Sequence, residues 1–298
     1  GLGDVFKRQL EKLRAGAIRL LDLPAEMSRG SSSGDDGVFM LPADDAQVEA
    51  GILRNPVFAS DFGRYRFSLE NQWKIIFPYK LVNDSYRLLT ESELKSNYPK
   101  AHRYLSENQA ALKKRKQYKA WYGYSAPRNL ELHDHAQIIV PLLADRGLFT
   151  LIPEGAGRSL CPMASGGFTI TISPDSPISS EYVLGLLNSK LLYWCLLQTS
   201  NIFRGGWITC TKQYFGELPI RVIHFSNKAD KSRHDRMVKL VESMIAMHKQ
   251  IAAAKSEGQK GILQRQMDAN DRAIDALVYD LYGLTDAEMA IVEGRVGK

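Results

Sequence analysis

Apolar residues fall at spacings of three and four from Val5 to Leu21, which predicts an amphipathic helix stopping before Leu23-Pro24. The glycine- and serine-rich stretch 27–37 then predicts a loop, and the apolar run 38–41 a strand closed by Pro42. A helix over 45–53 and a strand over 73–77 are expected next. Thr90 and Glu93 have capping-box spacing, so a helix opens there, breaks at Tyr98-Pro99 and resumes to about Lys119. After an aromatic loop at 121–127, three strands are predicted, at 137–140, 148–152 and 168–172, the last alternating as a half-buried strand does. Ser179 or Ser180 caps an apolar helix reaching Leu197, and 201–219 reads as loop-rich. Beyond residue 230 the period becomes helical. Helices over 237–254 and 262–281 meet near 258–261, Gly283 ends the second, and Thr285 with Glu288 opens a short last helix. The pattern as a whole predicts an α+β chain (mixed α/β), with short strands and packed helices followed by an α-helical C-terminal hairpin. Its expected parts are an N-terminal helix at 1–21, a mixed region at 22–222 and a helical region at 223–298.

Charge changes this picture more through its placement than its sum. The 298 residues carry 39 basic and 33 acidic groups, a net +6. Between residues 61 and 128, 14 Lys/Arg stand against 6 Asp/Glu, whereas 268–298 holds 7 acidic and 3 basic groups. A basic middle suits a polyanionic partner, or is simply a solvated surface; the acidic end then serves something else. The hydrophobic share of 44% excludes a disordered or fibrous chain. No apolar run approaches a membrane span, and no signal-peptide pattern opens the sequence. Cys161, Cys195 and Cys210 lie far apart with no C-x-x-C, so neither a disulfide framework nor a cysteine zinc site is indicated. A reducing, cytoplasmic setting fits. The sequence opens on Gly1 rather than methionine, which suggests a piece of a longer protein.

Catalytic motifs are incomplete. An adenine methyltransferase needs a strand-borne Asn/Asp-Pro-Pro-aromatic motif to hold and stack a flipped base. Asn55-Pro56-Val57-Phe58 lacks the second proline and follows a segment that reads as helical. Gly155-Ala156-Gly157 leads to Cys161-Pro162 rather than to a helix, so it reads as a hairpin tip rather than a cofactor turn. Asp175 and Glu181 lack the lysine partner a metal-dependent phosphodiesterase needs. His133 and His135 flank Asp134 without a third ligand and read as surface histidines. No G-x-S-x-G is present.

Binding chemistry is richer. The run Lys113-Lys114-Arg115-Lys116-Gln117-Tyr118-Lys119-Ala120-Trp121 leads through Tyr122 and Tyr124 to Arg128. Its cations suit phosphates and its rings suit bases or sugars, or else Trp121 and Tyr124 anchor a core. Phe203-Arg204-Gly205-Gly206-Trp207 places an arginine able to meet guanine or phosphate beside glycines that allow close approach, or forms a tight turn. Lys212 and Tyr214 follow on the same segment. Arg29, Ser31 and Ser32 open the serine-glycine stretch, suited to phosphate or merely to a turn.

These pieces occur in a consistent order. Trp73-Lys74-Ile75-Ile76-Phe77-Pro78-Tyr79-Lys80 precedes Asn97-Tyr98-Pro99, Trp121-Tyr122, Pro127-Arg128 and Ile138-Ile139-Val140-Pro141. Leu186-Leu187-Asn188-Ser189-Lys190, Phe203-Arg204-Gly205-Gly206, Lys212-Gln213-Tyr214 and Leu218-Pro219-Ile220 follow. Over roughly residues 20–293 this series resembles the TaqI-like C-terminal specificity domain of adenine-N6 DNA methyltransferases, including fused type II restriction–modification enzymes. The opening Arg29-Gly30 and the helical end Ile274-Asp275 to Leu284-Thr285 are similar to the limits of such a domain. The resemblance implies sequence-specific recognition of double-stranded DNA within a bacterial-type defence system. Methyl transfer, S-adenosylmethionine and, in some members, cleavage would reside in separate domains in cis. Residues 1–21 would then link to the catalytic part, this chain would hold no cofactor and no metal, and 22–222 would be the target-recognition domain. The duplex-contacting side chains expected are Arg29, Ser31, Ser32, Lys113, Lys114, Lys116, Lys119, Trp121, Arg128, Arg204, Trp207, Lys212 and Tyr214. Asn188-Ser189-Lys190 sits in an apolar helix and reads as structural, with Lys190 at most a phosphate contact. The alternative is a protein-interaction scaffold docking through its acidic C-terminal helices; a degenerate nuclease ranks last.

Overall fold

The computed structural model describes residues 2–69, 72–203 and 205–294, with side chains from Arg8 onward. It is mixed α+β, with several small sheets and a C-terminal helical hairpin. A central antiparallel sheet has the order Thr150–Leu151, Ile138–Val140, Phe168–Ile172, Ala25–Arg29. Its three expected strands form, because their apolar residues sit under helices. Ile138, Val140, Phe168 and Ile170 are buried with Leu184, Leu187, Leu192 and Leu196 of the overlying helices. The fourth strand, Ala25–Arg29, occupies part of the expected glycine-serine loop; polar on one face, it is an edge strand paired residue by residue with Phe168–Ile172.

A second sheet is mixed, in the order Leu160–Pro162, Leu53–Val57, Trp73–Ile76, Met40–Pro42, with the first pair parallel. Residues 45–53 are therefore not a helix. They are a loop closed by one 3-10 turn at Ala50–Ile52 leading into a strand. Val38 and Phe39 lie in a one-turn helix capped by Asp35, and the strand starts only at Met40. The glycines at 155 and 157 form no hairpin tip, since the chain passes there from the central sheet into the second one.

The N-terminal helix ends at Ala15, earlier than its apolar period suggests, because Ala17–Arg19 pairs antiparallel with Pro219–Arg221. The capping box at Thr90 forms as expected: the Glu93 amide donates to Thr90 Oγ1 and Glu93 accepts from the Thr90 amide. The helical stretch it opens stops at Leu112, not near Lys119. The apolar segment after Ser179 is two helices, Ser180–Leu187 and Lys190–Thr199, rather than one. Asn188 breaks it, its buried side chain donating to the Phe149 carbonyl (2.9 Å) and accepting from the Phe149 amide (3.1 Å). Ser189 then caps the second helix.

The C-terminal hairpin consists of Lys228–Ala253 and Glu257–Tyr282, joined at 254–256, so Gly258 and Gly261 lie inside the second helix. Met237, Val241 and Met244 of one, with Ile274, Leu277, Val278 and Leu281 of the other, complete the large core over the central sheet. A further core lies under the second sheet, from Phe39, Ile75, Ile76, Leu94, Leu105, Leu112 and Tyr124. All three cysteines are free and buried, and burial raises their thiols, Cys161 to about 11 and Cys195 and Cys210 to about 12. No helix among the described residues is long and apolar enough to cross a membrane.

Candidate nucleic-acid interface

Strand register sets where the candidate side chains stand. Arg29 pairs with Phe168, and Phe168 with Val140, so these three share one end of the central sheet. From Arg29 the chain turns at Gly30, whose amide donates to the Gly167 carbonyl (3.1 Å). A Cβ on Gly30 would stand 2.4 Å from the Met163 carbonyl, so only glycine lets these backbones meet. Ser32 and Ala126 then exchange backbone bonds, each 3.0 Å. Arg128 donates from Nη1 to the Gly30 carbonyl (3.1 Å) and from its amide to Ser31 Oγ (3.2 Å). Arg29, Ser31, Ser32 and Arg128 are thus brought together in one hydrogen-bonded frame. Ser31 is buried and its hydroxyl is engaged inside that frame.

The lysine run is aimed by its one arginine. Arg115 donates to the carbonyls of Leu112 (2.9 Å), Ser33 (2.6 Å), Gly123 (2.8 Å) and Trp121. This fork turns the chain out of the helix after Leu112 and ties it to the serine stretch. Burial depresses the guanidinium's pKa, against the pull of Asp35. Around this anchor Lys113, Lys114, Lys116 and Lys119 are exposed and in no ion pair among the described residues. Trp121 is half-buried and packs edge-on to Tyr122 at 5.3 Å, against the second core.

Residues 201–215 reach the same sheet end by another route. The Cys210 amide donates to the Leu142 carbonyl (2.8 Å), two residues beyond Val140, and the Phe215 ring meets Phe168 at 5.5 Å. Trp207 is 40% exposed on a hairpin and Lys212 is exposed at the start of a one-turn helix. Tyr214 is half-buried, its hydroxyl accepting from Asn201 (2.8 Å). Arg204 lies outside the described residues.

Other candidates have internal partners. The Asn55 motif lies on a strand after all, but its amide donates to the Ser159 carbonyl and accepts from Lys74. Lys190 pairs with Asp275 (3.5 Å) and Glu293 (3.8 Å), and the Lys190 amide is capped by buried Asp275. Asp134 pairs with Arg54 (3.2 Å) and accepts from the Tyr86 hydroxyl (2.6 Å). His135 is exposed, but His133 is buried beneath the Arg29–Arg128 frame, Nδ1 3.1 Å from Thr169 Oγ1. The nearby backbones of Arg128 and Arg29 favour its protonated ring, yet Nε2 makes no hydrogen bond of normal geometry. Burial wins and lowers its pKa to about 4. Sequence reasoning missed Arg115 and His133 as framework residues; the one signal was an arginine, able to fork, among lysines.

No family model matches the chain. It is similar to a type II restriction enzyme and methyltransferase of Escherichia coli, RM.Eco57I, at 24% identity over 227 residues. The match takes in 73% of this chain and 22% of the relative's length.

Proposed function

We propose that the chain is the DNA-recognition part of a restriction–modification protein, a TaqI-like specificity domain acting on double-stranded DNA. Methyl transfer, with its S-adenosylmethionine, belongs to a separate domain in cis. The observation that carries this reading is the match to a restriction enzyme and methyltransferase over a fifth of that relative's length. Two cationic, ring-bearing segments held at one end of the central sheet support it. Lysines at 113–119 neutralise phosphates, while Arg29, Arg128, Trp207 and Lys212 stand nearer the sheet end. Phosphate contacts set register and affinity, and base-edge contacts set sequence preference.

The test is selection of bound duplexes from a random-sequence pool, followed by titration at two salt concentrations. Enrichment of one short sequence, with affinity falling steeply as salt rises, is the expected result. Salt-independent binding, or binding without enrichment, removes the recognition role.

A further inference from the structure

Ile202 and Phe203 are the most exposed large apolar side chains among the described residues, at 59% and 54%, and Trp207 lies across the same turn. The hairpin that carries them is well bonded. Ile202 pairs antiparallel with Ile208, the Phe203 amide donates to the Trp207 carbonyl (2.7 Å), and the Gly206 amide donates to the Phe203 carbonyl (3.1 Å). Gly205 and Gly206 close the turn at φ of 84° and 82°, a region that glycine adopts without strain. The Trp207 indole stands 3.5 Å from where a Gly205 Cβ would be. Ile208 is buried, whereas Ile202, its bridge partner, stays exposed. Phe203 and Trp207, one step along, are joined across the turn by their backbone bond, and both rings are exposed. Leu143, 43% exposed, borders them through its pairing with Thr209.

The surroundings indicate what covers these rings. Residues 199–216 contain Arg204 and Lys212 and no carboxylate. The hairpin is rooted at Leu142, at the sheet end where Arg29 and Arg128 stand. Exposed rings on a segment whose charged residues are all cations match a base stack framed by phosphates. Proteins that insert such rings into a base step unstack it and hold the duplex distorted.

We propose that Phe203 and Trp207 form a stacking wedge that enters the duplex at a base step, an inference that rests on the duplex-binding reading above. A mismatch removes part of the unstacking cost, so the wedge should favour mismatched DNA. The experiment is an anisotropy titration of the full chain against a labelled duplex with one T·T mismatch and against its fully paired counterpart, each at two salt concentrations. The mismatched duplex should bind on the order of ten-fold more tightly. Phe203→Ala and Trp207→Ala should each reduce that advantage to about two-fold or less, with the salt slope kept because the cations are all retained. Trp207→Phe should keep the advantage. Matching thermal melts of the variants would confirm that exposed residues have been changed without unfolding. If the wild type binds both duplexes equally, or the alanine variants keep the preference, the wedge is overturned while salt-dependent duplex binding stands. If neither duplex binds in a salt-dependent way, the DNA reading fails with it.

Discussion

Arg115 and Lys114 are neighbours in one cationic run and do opposite jobs. Arg115 satisfies four backbone carbonyls from a single planar fork, whereas Lys114 stays in solvent. A lysine ammonium has no such fork, so Arg115→Lys leaves carbonyls unpaired, and each such buried group costs about 1–3 kcal/mol. Urea unfolding should show a loss of about 2 kcal/mol or more; a loss below about 0.5 kcal/mol would mean the fork holds nothing together. His133 gives a second test at this scale. Its folded pKa, about 4, lies below the ordinary value of 6.5, so between these limits the unfolded chain binds more protons. Stability carried by the neutral ring is complete above pH 6.5 and declines as pH falls towards 4, by roughly 3 kcal/mol in all. His248 is shifted in the same direction by burial, so the comparison must be with His133→Gln. That variant should lose less stability than the wild type between pH 7 and pH 4.5. Parallel pH curves would place the effect elsewhere.

Elements in this chain begin and end where side chains bond backbone. Thr90 and Glu93 close a capping box, and Glu93 also pairs with Lys80 and with Arg87 (2.6 Å), tying the hairpin 79–88 to the helix. The Arg87 guanidinium foremost, then the Lys80 ammonium, holds the Glu93 carboxyl far below the usual carboxylate range. Thr90→Ala removes the cap alone and should cost about 1 kcal/mol in denaturant unfolding, with Thr90→Ser restoring it. No change would show that the ion pairs suffice. Capping boxes at 90 and 285 were legible because both partners lie within four residues. The break at Asn188 was not, because its partner is Phe149, thirty-nine residues away. For the same reason the strand at Ala25–Arg29 was hidden: its partner strand at 168–172 supplies the reason to be extended.

Across the whole molecule the two charge excesses have different fates. The acidic end is largely paired with the body: Asp271 with Arg64 (2.7 Å), Asp275 with Lys190, Asp280 with Arg233 (2.7 Å), and Glu288 with Lys12 (2.8 Å). Its apolar stripe packs into the large core. The lysines at 113–119 remain uncompensated among the described residues. If they neutralise phosphates, changing Lys113, Lys114, Lys116 and Lys119 to glutamine should lower the slope of log affinity against log salt. The drop should reach up to about 0.9 for each phosphate no longer neutralised. The enriched sequence should stay the same, since phosphate contacts carry no base information. An unchanged slope would place the duplex elsewhere on the surface.

By itself the sequence determined what local chemistry and periodicity can decide: the α+β class, the C-terminal helical hairpin, the caps at Thr90, Ser179 and Thr285, and three strands of the central sheet. It also displayed the cationic runs, because charge is read directly from composition. Tertiary structure decided which cations remain available and which are consumed, as Arg115, Lys190 and Arg54 are by distant carbonyls and carboxylates. It also decided that segments near residues 30, 128 and 210 share one sheet end. Both outcomes depend on strand register and on the burial of polar groups, which arise from interactions between residues far apart in the chain.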